Sequence, residues 1–152
     1  MKLAEALILR ADYQKRLEQL KQRLLRNAKV QEGDKPAESP NDLIQEMEQL
    51  AEGLTQLIQR INKTNSVSRI DEQLTLSDGL AMRDVLKLKH GIYRELAEAA
   101  SVTQARFSRS EVKFKSAVNV AEIQAQADQL AKAYRDLDTK IQEINWLVEL
   151  ME

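Results

Sequence analysis

Cysteine is absent from the 152 residues, which excludes disulfides, thiolate nucleophiles and cysteine-ligated metals. That absence also fits a reducing cytoplasm. Only one histidine is present, His90, so nucleophile–base triads have almost nothing to work with. Glycine is scarce too: Gly33, Gly53, Gly79 and Gly91 stand apart, and no glycine-rich loop can cradle a phosphate. The formal net charge is only −1, so no global field draws the chain to nucleic acid or to a membrane. No apolar run approaches the ~20 residues of a membrane span. Near the N-terminus the run Ala6–Leu9 is bounded by Glu5, Arg10 and Asp12, too short and too charged at its edges for a signal peptide. A soluble, cytoplasmic protein is expected.

What the chain does have is helical pattern. Hydrophobic residues make up 43% and charged ones 31%, with two prolines, the balance of one helical domain over residues 1–152. The clearest signal lies in the last third. Val120, Ile123, Ala127, Leu130, Tyr134, Leu137, Ile141, Ile144, Val148 and Met151 follow by steps of three and four, the a/d repeat of a coiled coil. A helix carrying that repeat is ~45 Å long at ~1.5 Å per residue. It requires partner helices along its length.

Three further helices are predicted. The first spans about Lys2 to Val30, with a seam at Leu3, Ala6, Arg10, Tyr13, Leu17, Leu20, Leu24 and Asn27. Gly33, Pro36 and Pro40 then break the pattern. Asn41 is the expected N-cap of a second helix, with Leu43, Met47, Leu50, Leu54, Leu57 and Ile61 in register and the polar string Asn62–Ser66 as its end. The third starts near Thr75 or Ser77, where Thr75 and Asp78 form a capping-box pattern. Its apolar positions are doubled (Ala81/Met82, Val85/Leu86, Leu88, Ile92/Tyr93, Leu96, Ala99/Ala100), which predicts contact on two sides and a central position. Val112 and Phe114 alternate with Lys113 and Lys115, and Ser66–Leu74 offers a partner, so one short strand pair is allowed. Residues 1–30 hold eight basic against three acidic side chains, and residues 31–62 hold two against seven, which favours antiparallel pairing of the first two helices. The fold expected is an all-α elongated bundle of long antiparallel coiled-coil-like helices.

Chemistry is sparse. Lys87, Lys89 and Arg94 surround His90, so a metal would be repelled, and no Glu-x-x-His pair exists in the chain. No catalytic, metal or cofactor-binding residue is assigned, and an enzyme is not expected. Two features invite a binding role. The loop bearing Arg106, Arg109, Lys113 and Lys115, interleaved with Phe107 and Phe114, either binds an anion or single-stranded nucleic acid or docks on an acidic helix; docking is favoured. Arg10 and Asn27 interrupt an apolar seam, as polar residues that fix register and oligomeric state do. The C-terminal stretch Leu137, Ile141, Ile144, Trp146, Val148 and Leu150 is apolar almost all round, which suggests a subunit interface.

The segments LAEALILRADYQKRLEQL, NAKVQEGDKPAE, INKTN, RFSRSEVKF and LAKAYRDLDTKIQEINW, in that order, resemble the septicolysin-like family of uncharacterised small helical bacterial proteins. The resemblance implies long helices that assemble into homo-oligomers, hexamers among them, and its name implies a cytolysin. It supplies no catalytic residue. The expected function is therefore that of a homo-oligomeric structural or interaction protein, its partner being itself. The alternatives are a membrane-active cytolysin and a nucleic-acid or anion binder acting through the Arg106–Lys115 loop.

Overall fold

A computed structural model describes residues 1–101 and 113–152. Four helices account for most of them: α1 (Leu3–Arg26), α2 (Pro40–Val67), α3 (Leu76–Ala100) and α4 (Val120–Leu147). The all-α expectation holds. The chain divides into two compact units, residues 1–69 with 142–152, and residues 70–141.

In the first unit α1 and α2 run antiparallel. Leu20, Leu43 and Leu50 form a buried cluster, with Tyr13, Leu17, Leu24 and Met47 packed against it. These are seam positions of both helices, brought face to face by their three-and-four spacing. Gly53 lets α2 approach closely, because a Cβ there would meet the Tyr13 ring at 3.3 Å. The connector is pinned by polar groups. Arg23 Nε donates to both carboxylate oxygens of Glu38 at 3.1 and 3.2 Å. The Asn27 amide donates to the Arg23 carbonyl at 2.8 Å, and its oxygen accepts from Glu38 N at 3.1 Å.

Both ends of α2 depart from the sequence expectation. Ser39, not Asn41, is the N-cap, and Pro40 opens the helix. Proline is preorganised for the first helical position, where its missing N–H costs nothing. At the other end the helix continues through Asn62–Ser66 to Val67. Thr64 explains this: its buried hydroxyl donates to Arg60 O at 2.8 Å and accepts from Met151 N at 3.0 Å.

The helix expected to run to Met151 is shorter. α4 stops at Leu147, and the chain beyond it pairs with the N-terminal residues. Leu3 N donates to Val148 O at 2.9 Å, and Leu150 N donates to Met1 O at 2.8 Å. Lys2 Nζ holds the Leu147 carbonyl at 3.0 Å and Glu149 at 2.6 Å. Lys2, then the N-terminal ammonium, keep the Glu149 carboxyl below its ordinary range. Leu3, Ile61 and Leu150 are buried here.

In the second unit α3 runs antiparallel to residues 120–141 of α4. Arg83 Nη1 donates to Asp138 Oδ1 at 2.7 Å. Gly79 leaves room for Ile70, whose Cδ1 a Cβ there would strike. The Thr75 cap forms as expected: Asp78 N donates to its hydroxyl at 3.1 Å, while Asp78 accepts from Thr75 N at 3.0 Å. Asn119 caps α4 by accepting from Glu122 N at 3.2 Å.

The short strand pair does not form among the described residues. Ser66 and Val67 belong to the last turn of α2, and Asp71 Oδ1 accepts from Gln73 N and Leu74 N, closing a turn. That turn uses the backbone donors a ladder would need. Lys113–Lys115 carry no regular structure, and Val112 lies outside the described residues. α3 is also not covered on two sides. One face is packed; on the other, among the described residues, Val85, Leu88 and Ile92 are exposed, while Leu96 and Ala99 line a cavity with Phe114–Val118.

Candidate functional site

The open face of α3 is the main feature left without a role inside the chain. Ala81, Val85, Leu88, Ile92, Leu96 and Ala99 recur by threes and fours, which at 3.6 residues per turn places them within roughly 80° of arc. Val85 is 53% exposed, Leu88 67%, Ile92 64% and Leu96 38%. Met82 borders the row and is also exposed. Across the helix, Gly79 and Ala97 are buried and Leu86, His90 and Tyr93 half-buried. The doubled apolar pattern is legible in the sequence, where it predicts burial on two sides within one chain. It is one packed face and one solvent-facing row.

Beside that row lies a shallow groove lined by Asp84, Lys87, Leu88, Gly91, Ile92 and Glu95. Nothing lies within 4 Å of where a Gly91 Cβ would be. The bordering charges, Asp84 and Glu95 against Lys87 and Lys89, are all exposed and balance in sign.

His90 faces the other way, into two cavities between α3 and α4. One, of about 290 Å³, is lined with Lys87, Ala131, Tyr134 and Arg135. The other, of about 380 Å³, adds Arg94, Glu98, Gln124 and Asp128 among others. The second also holds Ser101, whose hydroxyl donates to the Ala97 carbonyl at 2.9 Å. Among the described residues no group of three or more His, Asp or Glu side chains is placed to hold a metal ion.

The residues singled out from the sequence are dispersed. Ile141 and Leu150 are buried within the chain itself; Leu137, Ile144 and Val148 are half-buried. Trp146 is 56% exposed, and Leu147 beside it is exposed as well. Because the helix ends at Leu147, Leu150 does not share a helical face with Trp146. Arg10 is half-buried, with no ion pair to a described residue, so its head reaches solvent along its aliphatic stem. Asn27 caps α1 and holds the connector. Lys113 and Lys115 are exposed on either side of Phe114, while Arg106 and Arg109 lie outside the described residues.

Residues 10–150 match the model of a family of unknown function, DUF6847. The chain belongs to this family. A solved relative is described as a functionally unknown conserved protein from Corynebacterium diphtheriae. It is 46% identical, with a TM-score of 0.94 over 99% of each chain. No curated protein matches the chain. The resemblance to septicolysin-like proteins is therefore overturned: the whole-length match is to DUF6847, and short helical segments rich in Leu, Ala, Glu and Lys are poor discriminators between helical families. The hexamer and cytolysin expectations rested on that resemblance and lose it. Among the described residues, no helix is long and apolar enough to cross a membrane. Like its solved relative, this DUF6847 member has no established function.

Proposed function

We propose that this DUF6847 member is a non-catalytic structural or interaction protein that works as a homo-oligomer in the cytoplasm. One observation carries the reading: the row Val85, Leu88, Ile92 and Leu96 faces solvent along a single helix. Scattered surface leucines are ordinary, but contiguous apolar patches on monomers are small and mark interaction sites. Trp146, exposed beside Leu147, is a second contact of the same kind, and tryptophan often anchors interfaces. The absence of cysteine supports the compartment.

Light scattering on tag-free protein at micromolar concentration tests this; the expected mass is a multiple of one chain. A single-chain mass throughout that range overturns the reading. Phe114, 82% exposed between Lys113 and Lys115, favours a second reading, binding of single-stranded nucleic acid by stacking and charge. Affinity for mixed-sequence RNA that falls steeply with added salt would select it.

A further inference from the structure

We propose that α3 packs antiparallel against α3 of a second copy, about a twofold axis near residue 90. This rests on the homo-oligomer reading and gives it a geometry. The occupant is a second copy because the row is nearly palindromic. Ala81 and Ala99 lie nine residues before and after position 90, Leu88 and Ile92 two, and Val85 and Leu96 five and six. A reversed copy therefore sets Leu88 against Ile92 and Val85 against Leu96, with Ala81 meeting Ala99 at the rim of the cavity that Ala99 lines with Phe114–Val118. Such self-complementarity is what a twofold contact requires.

The charges agree. Same-sided flanks meet in an antiparallel pair, and Lys87 and Glu95 sit four residues on either side of Gly91. Reversal about that point brings Lys87 opposite Glu95 of the second copy, twice. Asp84 and Glu95 on the flanks are balanced by Lys87 and Lys89, so two copies approach without net repulsion.

Gly91 adds an independent indication. A glycine inside a helix weakens it relative to alanine. Among the described residues nothing uses the missing side chain, since the space over Gly91 is open. Close approach of a second helix does use it.

The absence of cysteine makes the test direct. Ala81→Cys and Ala99→Cys variants of the full chain, with different tags, are expressed separately and together, then treated with a short bis-maleimide. The two positions are ~27 Å apart along one helix. Cross-linked dimer is expected only on co-expression, and only between differently tagged chains. Cross-linking within either variant alone would mean a parallel contact, and none in any sample would mean another surface; both overturn the proposal. A second measurement compares the mass of wild type with Leu88→Asp/Ile92→Asp, whose exposed sites leave helicity intact by circular dichroism. Association at least tenfold weaker is expected. If the wild type is itself a single chain, the homo-oligomer reading falls; if wild type and double variant share one oligomeric mass, only the α3 contact does.

Discussion

In the unit of residues 1–69 and 142–152, nine apolar side chains are buried, seven of them Leu or Ile: six from α1 and α2, and Leu150. In residues 70–141 the described buried apolar residues are four, and two of those are alanines. Both units use antiparallel helix pairs with similar periodicity. They differ in what happens to the second apolar edge of a helix. The first unit closes its edge with the paired chain ends, where Leu3, Leu150 and Ile61 are buried and Met151 N donates to Thr64 at the end of α2. In the second, α3 keeps one face on α4 and leaves Val85, Leu88 and Ile92 exposed among the described residues. A pattern that predicts burial thus says how much surface must be covered, not whether the cover comes from the same chain.

The largest expected effect separates the two units by one truncation in each. Leu20→Ala removes a buried side chain from the α1–α2 cluster and should cost about 2–5 kcal/mol in urea unfolding. Leu88→Ala, made on the open row, should stay within about 0.5 kcal/mol when measured dilute enough to dissociate any assembly. Equal losses would mean that the row is covered within one chain.

Two glycines of α3 give a smaller contrast. Gly79→Ala drives a Cβ into Ile70 and should cost about 1–3 kcal/mol, the usual range for overpacking. Gly91→Ala meets nothing and should stabilise the dilute chain by about 1 kcal/mol through helix propensity. The same change should weaken association if a second α3 approaches there. Thermal unfolding and light scattering on one set of variants read both effects, and a Gly91→Ala protein improved in both would remove Gly91 from the contact.

The helices themselves are legible because three-and-four spacing survives any tertiary context: every one of the four appears near its expected place. Their ends are less so. Thr75 with Asp78 is a local signal and forms the cap it predicts, whereas the Asn62–Ser66 string looks like a helix stop and is not one. Thr64 hides there, satisfied by Arg60 and by Met151, 87 residues away, which no local pattern reveals. The end of α4 fails for the same reason. Val148 and Leu150 keep the helical spacing but surrender it to backbone pairing with Met1 and Leu3. Of the candidate site, the doubled pattern on α3 is visible, yet spacing does not distinguish a face buried within the chain from an open one. Asn27 sits in a seam as a register residue would; it caps α1 instead, a role set by Glu38 across a connector.

The smallest contrast is in acid. Glu18, Glu38 and Glu149, whose carboxyls sit below their ordinary range, belong to the first unit. Asp78, held by the Thr75 N–H and likewise lowered, belongs to the second. Glu38 is lowered chiefly by its hydrogen bonds from Arg23, Glu18 by the Gln22 amide and then Lys21. A carboxyl whose folded pKa lies below its unfolded one binds fewer protons when folded, so a glutamate's contribution is complete above the ordinary value of 4.5. As pH falls below that value and through the folded pKa, the contribution is lost. Glu18, Asp78 and Glu149 are exposed and Glu38 is only half-buried, so the effect is modest and shrinks with added salt. Hydrogen exchange should therefore be level in both units from pH 7 to 5, then weaken in α1 and α2 before α3 as pH drops further. Glu38→Gln separates the Arg23 contact from general acid loosening. It should lower the urea midpoint at pH 7, and the gap from wild type should narrow steadily on acidification below 4.5, because a protonated Glu38 is as uncharged as the amide that replaces it. A gap that stays constant to pH 3 would mean that Arg23 and Glu38 hold the connector by packing rather than by charge.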